Sequence, residues 1–158
     1  AIAQVTNPEG LTGDLSVAIK GADVFIGVSA PKVVSQAMIR SMNDQAIVFA
    51  MANPVPEIMP EDALEAGAAI VGTGRSDYPN QINNVLAFPG IFKGVLAVRA
   101  REVTDGMKES AARAIASLIP EEDLKAEAII VNALDDRVAD VVAKAVADQA
   151  IKEGVSRH

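Results

Sequence analysis

Asp23-Val-Phe-Ile-Gly-Val28, Ala46-Ile-Val-Phe-Ala50 and Ala69-Ile-Val71 are three short apolar runs, rich in β-branched residues and bounded by turn formers. Their length and flanks are those of strands buried on both faces, not of helices. Helix signals lie between them. Ser35 is placed to cap a helix whose inner face would be Met38, Ile39 and Met42. Pro60 opens another, with Glu61 and Asp62 at its positive end and Gly67 as its stop. Strand, helix, strand, helix, strand at this spacing implies crossover connections and a parallel sheet. The expected class is α/β.

On the amino-terminal side, Asp14 can cap a short helix through Lys20, ended by Gly21 where a left-handed turn is cheapest. On the carboxyl-terminal side the period changes. From Gly90 onward the pattern is helical: Ile91 to Ala100, then Thr104 to Ile119 with Met107, Ala111, Ile115 and Leu118 along one face. Pro120 and Glu121-Glu-Asp123 start another turn. A last helix is expected from Asp135 to Glu153, with Val138, Val141, Val142 and Ala145 inward and Gly154 as terminator. No repeat or low-complexity linker interrupts the 158 residues, so one compact unit is expected.

Composition excludes whole classes of function. Half of the chain is apolar but only 3% aromatic, which suits Ala, Val and Ile packed between helices and a parallel sheet. Fourteen basic against 21 acidic side chains give a net charge of −7, and no stretch joins Lys and Arg to aromatics. A nucleic-acid surface is not expected. Without cysteine there are no disulfides and no thiolate sites, and the only histidine is the terminal His158. No metal site and no histidine general base are therefore expected in this chain. No apolar run approaches the ~18 residues of a membrane span, and Ala1-Ile-Ala-Gln-Val-Thr-Asn-Pro8 has no signal-like core. The expected setting is cytoplasmic. Numbering that opens on Ala1 leads to the expectation of a piece of a longer polypeptide.

In open parallel sheets ligands bind beyond the carboxyl ends of the strands. Three segments hold that place: Val28-Ser-Ala-Pro31, Met51-Ala-Asn-Pro54, and Gly72-Thr-Gly-Arg75 running into Ser76-Asp-Tyr-Pro-Asn-Gln-Ile-Asn-Asn84. The Asn53 amide offers two donors and an acceptor to a ribose, carboxamide or carboxylate, or else simply shapes a turn before Pro54. Asn80, Gln81, Asn83 and Asn84 either recognise a polyoxygenated ligand or cap a helix. Arg75 either clamps an anion or pairs with Asp77, and Tyr78 is either an acid or a packing residue. Gly-x-Gly-x-x-Gly is absent, as is the acidic residue about 20 positions beyond it that would bind a ribose. The expectation is the second half of a Rossmann-like sheet, without its pyrophosphate loop, followed by helices.

Three longer stretches carry a resemblance: Gly21 to Pro31, Ile47-Val-Phe-Ala-Met-Ala-Asn-Pro-Val-Pro-Glu-Ile58, and Val71 to Phe92 with Ser-Asp-Tyr-Pro-Asn-Gln-Ile-Asn-Asn at its centre. They resemble malic enzymes of the bacterial type, and the resemblance continues to the final helix. It implies that residues 1–158 are the carboxyl-terminal part of a malic-enzyme NAD(P)-binding domain. The implied reaction is oxidative decarboxylation of malate to pyruvate and carbon dioxide, with NAD or NADP and Mg²⁺ or Mn²⁺. The family's proton-transferring lysine and tyrosine, its metal carboxylates and its glycine-rich loop all precede the matched region. No catalytic residue is carried over, and the chain alone is expected to be inactive. Carried over as cofactor-binding are Val28, Ser29, Ala30 and Asn53, and as substrate-binding Asn53, Asn83 and Asn84. Lys32 stands where the resemblance leads one to expect glycine. Implied partners are malate and pyruvate, the remainder of the parent enzyme, and further copies in a homo-oligomer. The alternative is a detached Rossmann-like module that binds a nucleotide or a protein without catalysis.

Overall fold

A computed structural model describes Ile2 and residues 5–157; Ala1, Ala3, Gln4 and His158 lie outside the described residues. The readings of the extreme amino terminus and of the single histidine fall there. The chain divides into two compact units, Ala1–Gly74 and Arg75–His158, where the absence of a linker had suggested one.

The first unit is built on three parallel strands, β1 (Val24–Gly27), β2 (Ile47–Ala50) and β3 (Ile70–Thr73), in the order β1-β2-β3. Val24 lies opposite Ile47, and Ile47 opposite Ile70. Local chemistry explains the helices between them. Asp14 accepts the Ser16 N–H to start α1 (Leu15–Ile19), and Gly21 follows at φ 70°. Ser35 accepts the Met38 N–H to start α2 (Gln36–Arg40). Pro60 is the first residue of α3 (Pro60–Glu65), its missing N–H costing nothing there, and Gly67 at φ 105° lets the chain turn toward β3. Gln36 ties α2 to α3 through Asp62 (3.2 Å) and Glu65 (3.0 Å).

Val48, Ala50, Ile39, Ile19, Ile58 and Ala63 form the centre of this core, each at most 4% exposed. Full burial of a side chain the size of Val48 or Ile39 contributes about 1.5–3 kcal/mol. β1 is a correction. It was expected to be buried on both faces, yet Val24 is 46% and Ile26 62% exposed. The strand lies at the edge of the sheet, paired only with β2 among the described residues, and its face bearing Val24 and Ile26 is uncovered. The apolar run specifies a strand, but burial depends on neighbours that the run does not encode.

The second unit is helical: α4 (Phe88–Ala97), α5 (Asp105–Ala116) and α6 (Arg137–Lys152), with short 3-10 turns at Asn84–Leu86 and Glu121–Asp123. α4 begins three residues before Ile91 because Pro89 fits a first helical turn. Thr104 caps α5 by accepting the Met107 N–H (3.1 Å). Gly154, at φ 70°, follows α6. Met107, Ala111, Val138, Val142, Val146 and Ala150 are the buried centre, while Val141, Ala145, Ile115 and Leu118 are half-buried at its margin. α6 packs on both α4 and α5. Contact with α4 is close enough that a Cβ on Gly90 would lie 2.5 Å from Val142 Cβ, and one on Gly94 2.5 Å from the Ala143 carbonyl oxygen.

Candidate functional site

β1 and β2 end in register, Gly27 opposite Ala50, so their outgoing loops leave the same edge of the sheet. The Met51 N–H donates to the Gly27 carbonyl (3.0 Å), extending the pairing one step past the strands. Beyond β1, Val28 is 77% exposed, and Ser29 and Ala30 are exposed as well. Beyond β2, Ala52 is half-buried and Asn53 exposed, and the Asn53–Pro54 peptide bond is cis. No protein partner for the Asn53 amide is found among the described residues. An Asx turn would have used its oxygen, and Asn53 is exposed.

The two loops are held by one carboxylate. Glu57 is fully buried. Its Oε1 accepts the Ser29 N–H (2.7 Å) and the Ser29 hydroxyl (3.3 Å), and its Oε2 accepts the Ala52 N–H (3.0 Å). Its main chain joins in: the Val34 N–H donates to the Glu57 carbonyl, and the Lys32 N–H to the Pro56 carbonyl, both at 3.0 Å. Burial pushes the carboxyl upward, but the N–H groups of Ser29, Ala52 and Glu57 itself, with the Ser29 hydroxyl, outweigh it and leave the group below its ordinary value. Gly27 makes room. A Cβ there would stand 2.6 Å from Glu57 Cδ. Lys32, where glycine was looked for, takes φ 58°, so the turn after Ala30 keeps a glycine-like backbone under a lysine side chain.

In the second unit the amides divide by role. Asn80, 6% exposed and at φ 54°, donates to the Ala126 carbonyl (2.7 Å) and accepts the Ile129 N–H (3.0 Å), holding the loop that contains both. Asn83 caps the 3-10 turn by accepting the Val85 N–H (3.0 Å). Asn84 is exposed. Arg75 pairs with Asp77 at 2.6 Å and lies 5.3 Å from the Tyr78 ring centre. That pair holds the Asp77 carboxyl below its ordinary range, chiefly through the Arg75 hydrogen bond. Among the described residues no group of three or more His, Asp or Glu side chains stands together as a metal site would require. No described helix is long and apolar enough to cross a membrane.

Residues 12–151 match the family described as "Malic enzyme, NAD binding domain". The chain belongs to this family. It is 56% identical over 156 residues to the bifunctional malic/malolactic enzyme of Bacillus subtilis, a match covering 99% of this chain and 38% of that protein. It is 53% identical to the NAD-dependent malic enzyme of Geobacillus stearothermophilus, covering 98% and 32%. The crystal structure of a malic enzyme from Pyrococcus horikoshii superposes with a TM-score of 0.89 at 54% identity, covering 96% of this chain and 35% of that one. The chain thus spans about a third of the length of these malic enzymes.

Within the malic-enzyme family the expected incomplete Rossmann-like sheet stands: three parallel strands with flanking helices, matching solved malic enzymes. The loop residues Val28, Ser29, Ala30 and Asn53 come together at one sheet edge in the first unit. Asn83 and Asn84 belong to the second. Glu57 escaped the sequence reading. A signal existed, since Gly27 inside an apolar strand marks a close approach of another group, but nothing in the sequence names the group that approaches.

Proposed function

We propose that this chain forms the strand-end wall of the ligand crevice in a malic enzyme. The enzyme oxidises and decarboxylates malate to pyruvate and carbon dioxide with NAD or NADP. The observation that carries the reading is Asn53, an exposed amide without a protein partner among the described residues, held at the sheet edge of a chain 56% identical to a named malic enzyme. Two donors and one acceptor let this amide bind a carboxylate or a nicotinamide carboxamide without adding charge. Pro54 and Pro56 stiffen the segment, so little entropy is lost when it grips a ligand. The turn Val28-Ser29-Ala30 lines the cofactor side, and in the second unit Asn83 and Asn84 are read as amide contacts to malate.

The residues described here do not fit a divalent metal, since no carboxylate cluster exists among them. The Mg²⁺ or Mn²⁺ of the reaction, the proton-transferring groups and the pyrophosphate loop belong to the remainder of the parent enzyme. A cytoplasmic homo-oligomer completes this reading. The rival, a nucleotide- or partner-binding module without catalysis, has no observation in its favour: the relatives at 53% and 56% identity are named as enzymes.

Asn53→Ala in the full-length enzyme tests the proposal. Removing an amide whose partner is then left unpaired lowers kcat/KM for malate by roughly ten- to a hundredfold and leaves the melting temperature unchanged. Unchanged kcat/KM beside a lowered melting temperature would show that Asn53 shapes a turn and nothing more.

A further inference from the structure

Glu57 presents a physical puzzle. A carboxylate taken wholly out of water is costly unless it is paired, and no cation pairs with Glu57 among the described residues. Its stabilisation comes entirely from hydrogen-bond donors. These donors are not random neighbours: the Ser29 N–H and hydroxyl lie in the loop after β1, and the Ala52 N–H lies in the loop after β2, one residue before Asn53. A glutamine of the same shape has only one accepting oxygen and would turn an NH₂ group toward one of the two N–H groups. The ionised carboxylate presents one accepting oxygen to each loop at once, with no donor turned toward either. Gly27 lies directly beneath, its missing Cβ leaving the space that the carboxylate occupies.

We infer that Glu57 is a positioning residue for malic-enzyme catalysis: its buried carboxylate fixes the spacing between the Val28-Ser29-Ala30 turn and the Asn53 amide, and so sets the distance between cofactor and malate contacts. This rests on the reading of those loops as ligand contacts. Glu57 touches no ligand itself and acts through Ser29 and Ala52.

The test is a double-mutant comparison in the full-length enzyme, using Glu57→Gln, Asn53→Ala and the two combined, with kcat/KM for malate, the KM of the cofactor and the melting temperature measured for each. Glu57→Gln lowers kcat/KM about tenfold, of the order expected when a positioning hydrogen bond is lost. The combined loss falls well short of the product of the two single losses, because both substitutions act on one contact. Independent losses that multiply would show that Glu57 acts elsewhere than on this contact, a lowered melting temperature with unchanged kinetics would show a role in stability alone, and either overturns the proposal. Should the glutamine variant fail to fold, Glu57→Asp decides by the same comparison, because it keeps the charge but is one methylene too short to reach both loops. A silent Asn53→Ala overturns the ligand reading and this inference with it. An impaired Asn53→Ala beside a kinetically silent Glu57→Gln overturns the inference alone.

Discussion

Lys32 sits at φ 58°, a left-handed conformation in which a Cβ crowds the following carbonyl. Its N–H is used by the Pro56 carbonyl, so the surrounding loops enforce the turn. Lys32→Gly relieves that crowding, at the cost of a more flexible unfolded chain, and the net gain is about 0.5–1 kcal/mol. A raised melting temperature with unaltered kinetics is the expected outcome; a lowered one would mean that the lysine side chain supports the loop. Glu57 makes the complementary case. Its ionised form is favoured on folding, so its folded pKa lies below the ordinary 4.5. The stability it contributes is therefore complete above that value and is lost as pH falls through the folded pKa. Compared with Glu57→Gln, the native protein should hold its full advantage at neutral pH and lose it progressively below pH 4.5. Denaturant melts of both proteins across that range check the sign. Both residues are visible in the sequence, yet neither the positive φ nor the burial follows from residue type. Lysine and glutamate are ordinarily solvated surface residues, and only the folded loops place them otherwise.

The helix pair α4 and α6 shows what an element requires of its sequence. Gly90 and Gly94 are four apart and therefore on one face of α4, and that face meets Val142, Ala143 and Val146 of α6. Glycine in mid-helix is unfavourable by about 1 kcal/mol relative to alanine, so Gly94→Ala would stabilise an isolated helix. In this fold the new methyl would stand 2.5 Å from the Ala143 carbonyl oxygen, a backbone atom that cannot rotate away. Overpacking of this kind costs about 1–3 kcal/mol, more than the gain in propensity. The expected result is a lowered melting temperature with helix content retained, read by circular dichroism; a raised melting temperature would show that the helices can separate without penalty. The Lys93–Asp140 pair that also joins α4 and α6 has both side chains more than half exposed, and such pairs contribute little. Packing decides this contact. Helix periodicity located α4 and α6 from the sequence, but the glycines carried no label as contact residues because periodicity records only which positions are apolar.

At the scale of the molecule, the sheet with α1, α2 and α3 forms one compact unit and α4, α5 and α6 form another. The chain spans 38% or less of the relatives cited, and under the proposed function the proton and metal chemistry belongs to the remaining length of the parent enzyme. The isolated 158-residue chain should therefore give no malate-dependent reduction of NAD or NADP, with or without Mn²⁺. Turnover that survives rigorous purification and scales with the amount of this chain would refute that division of labour.

The approximate strand and helix positions, the parallel sense of the sheet, the caps at Asp14 and Ser35, and the resemblance to malic enzymes were all determined by the sequence alone. Each rests on local chemistry or on a contiguous motif, which a linear string records in full. Only the tertiary structure decided that Val24 and Ile26 are exposed, that Asn80 holds a distant loop, and that Glu57 joins the turns after two strands. In each case the partner lies far along the chain: Glu57 reaches back 28 residues to Ser29, and Asn80 forward 49 to Ile129. Burial and long-range hydrogen bonding depend on which surfaces folding brings together, and residue type alone does not specify that.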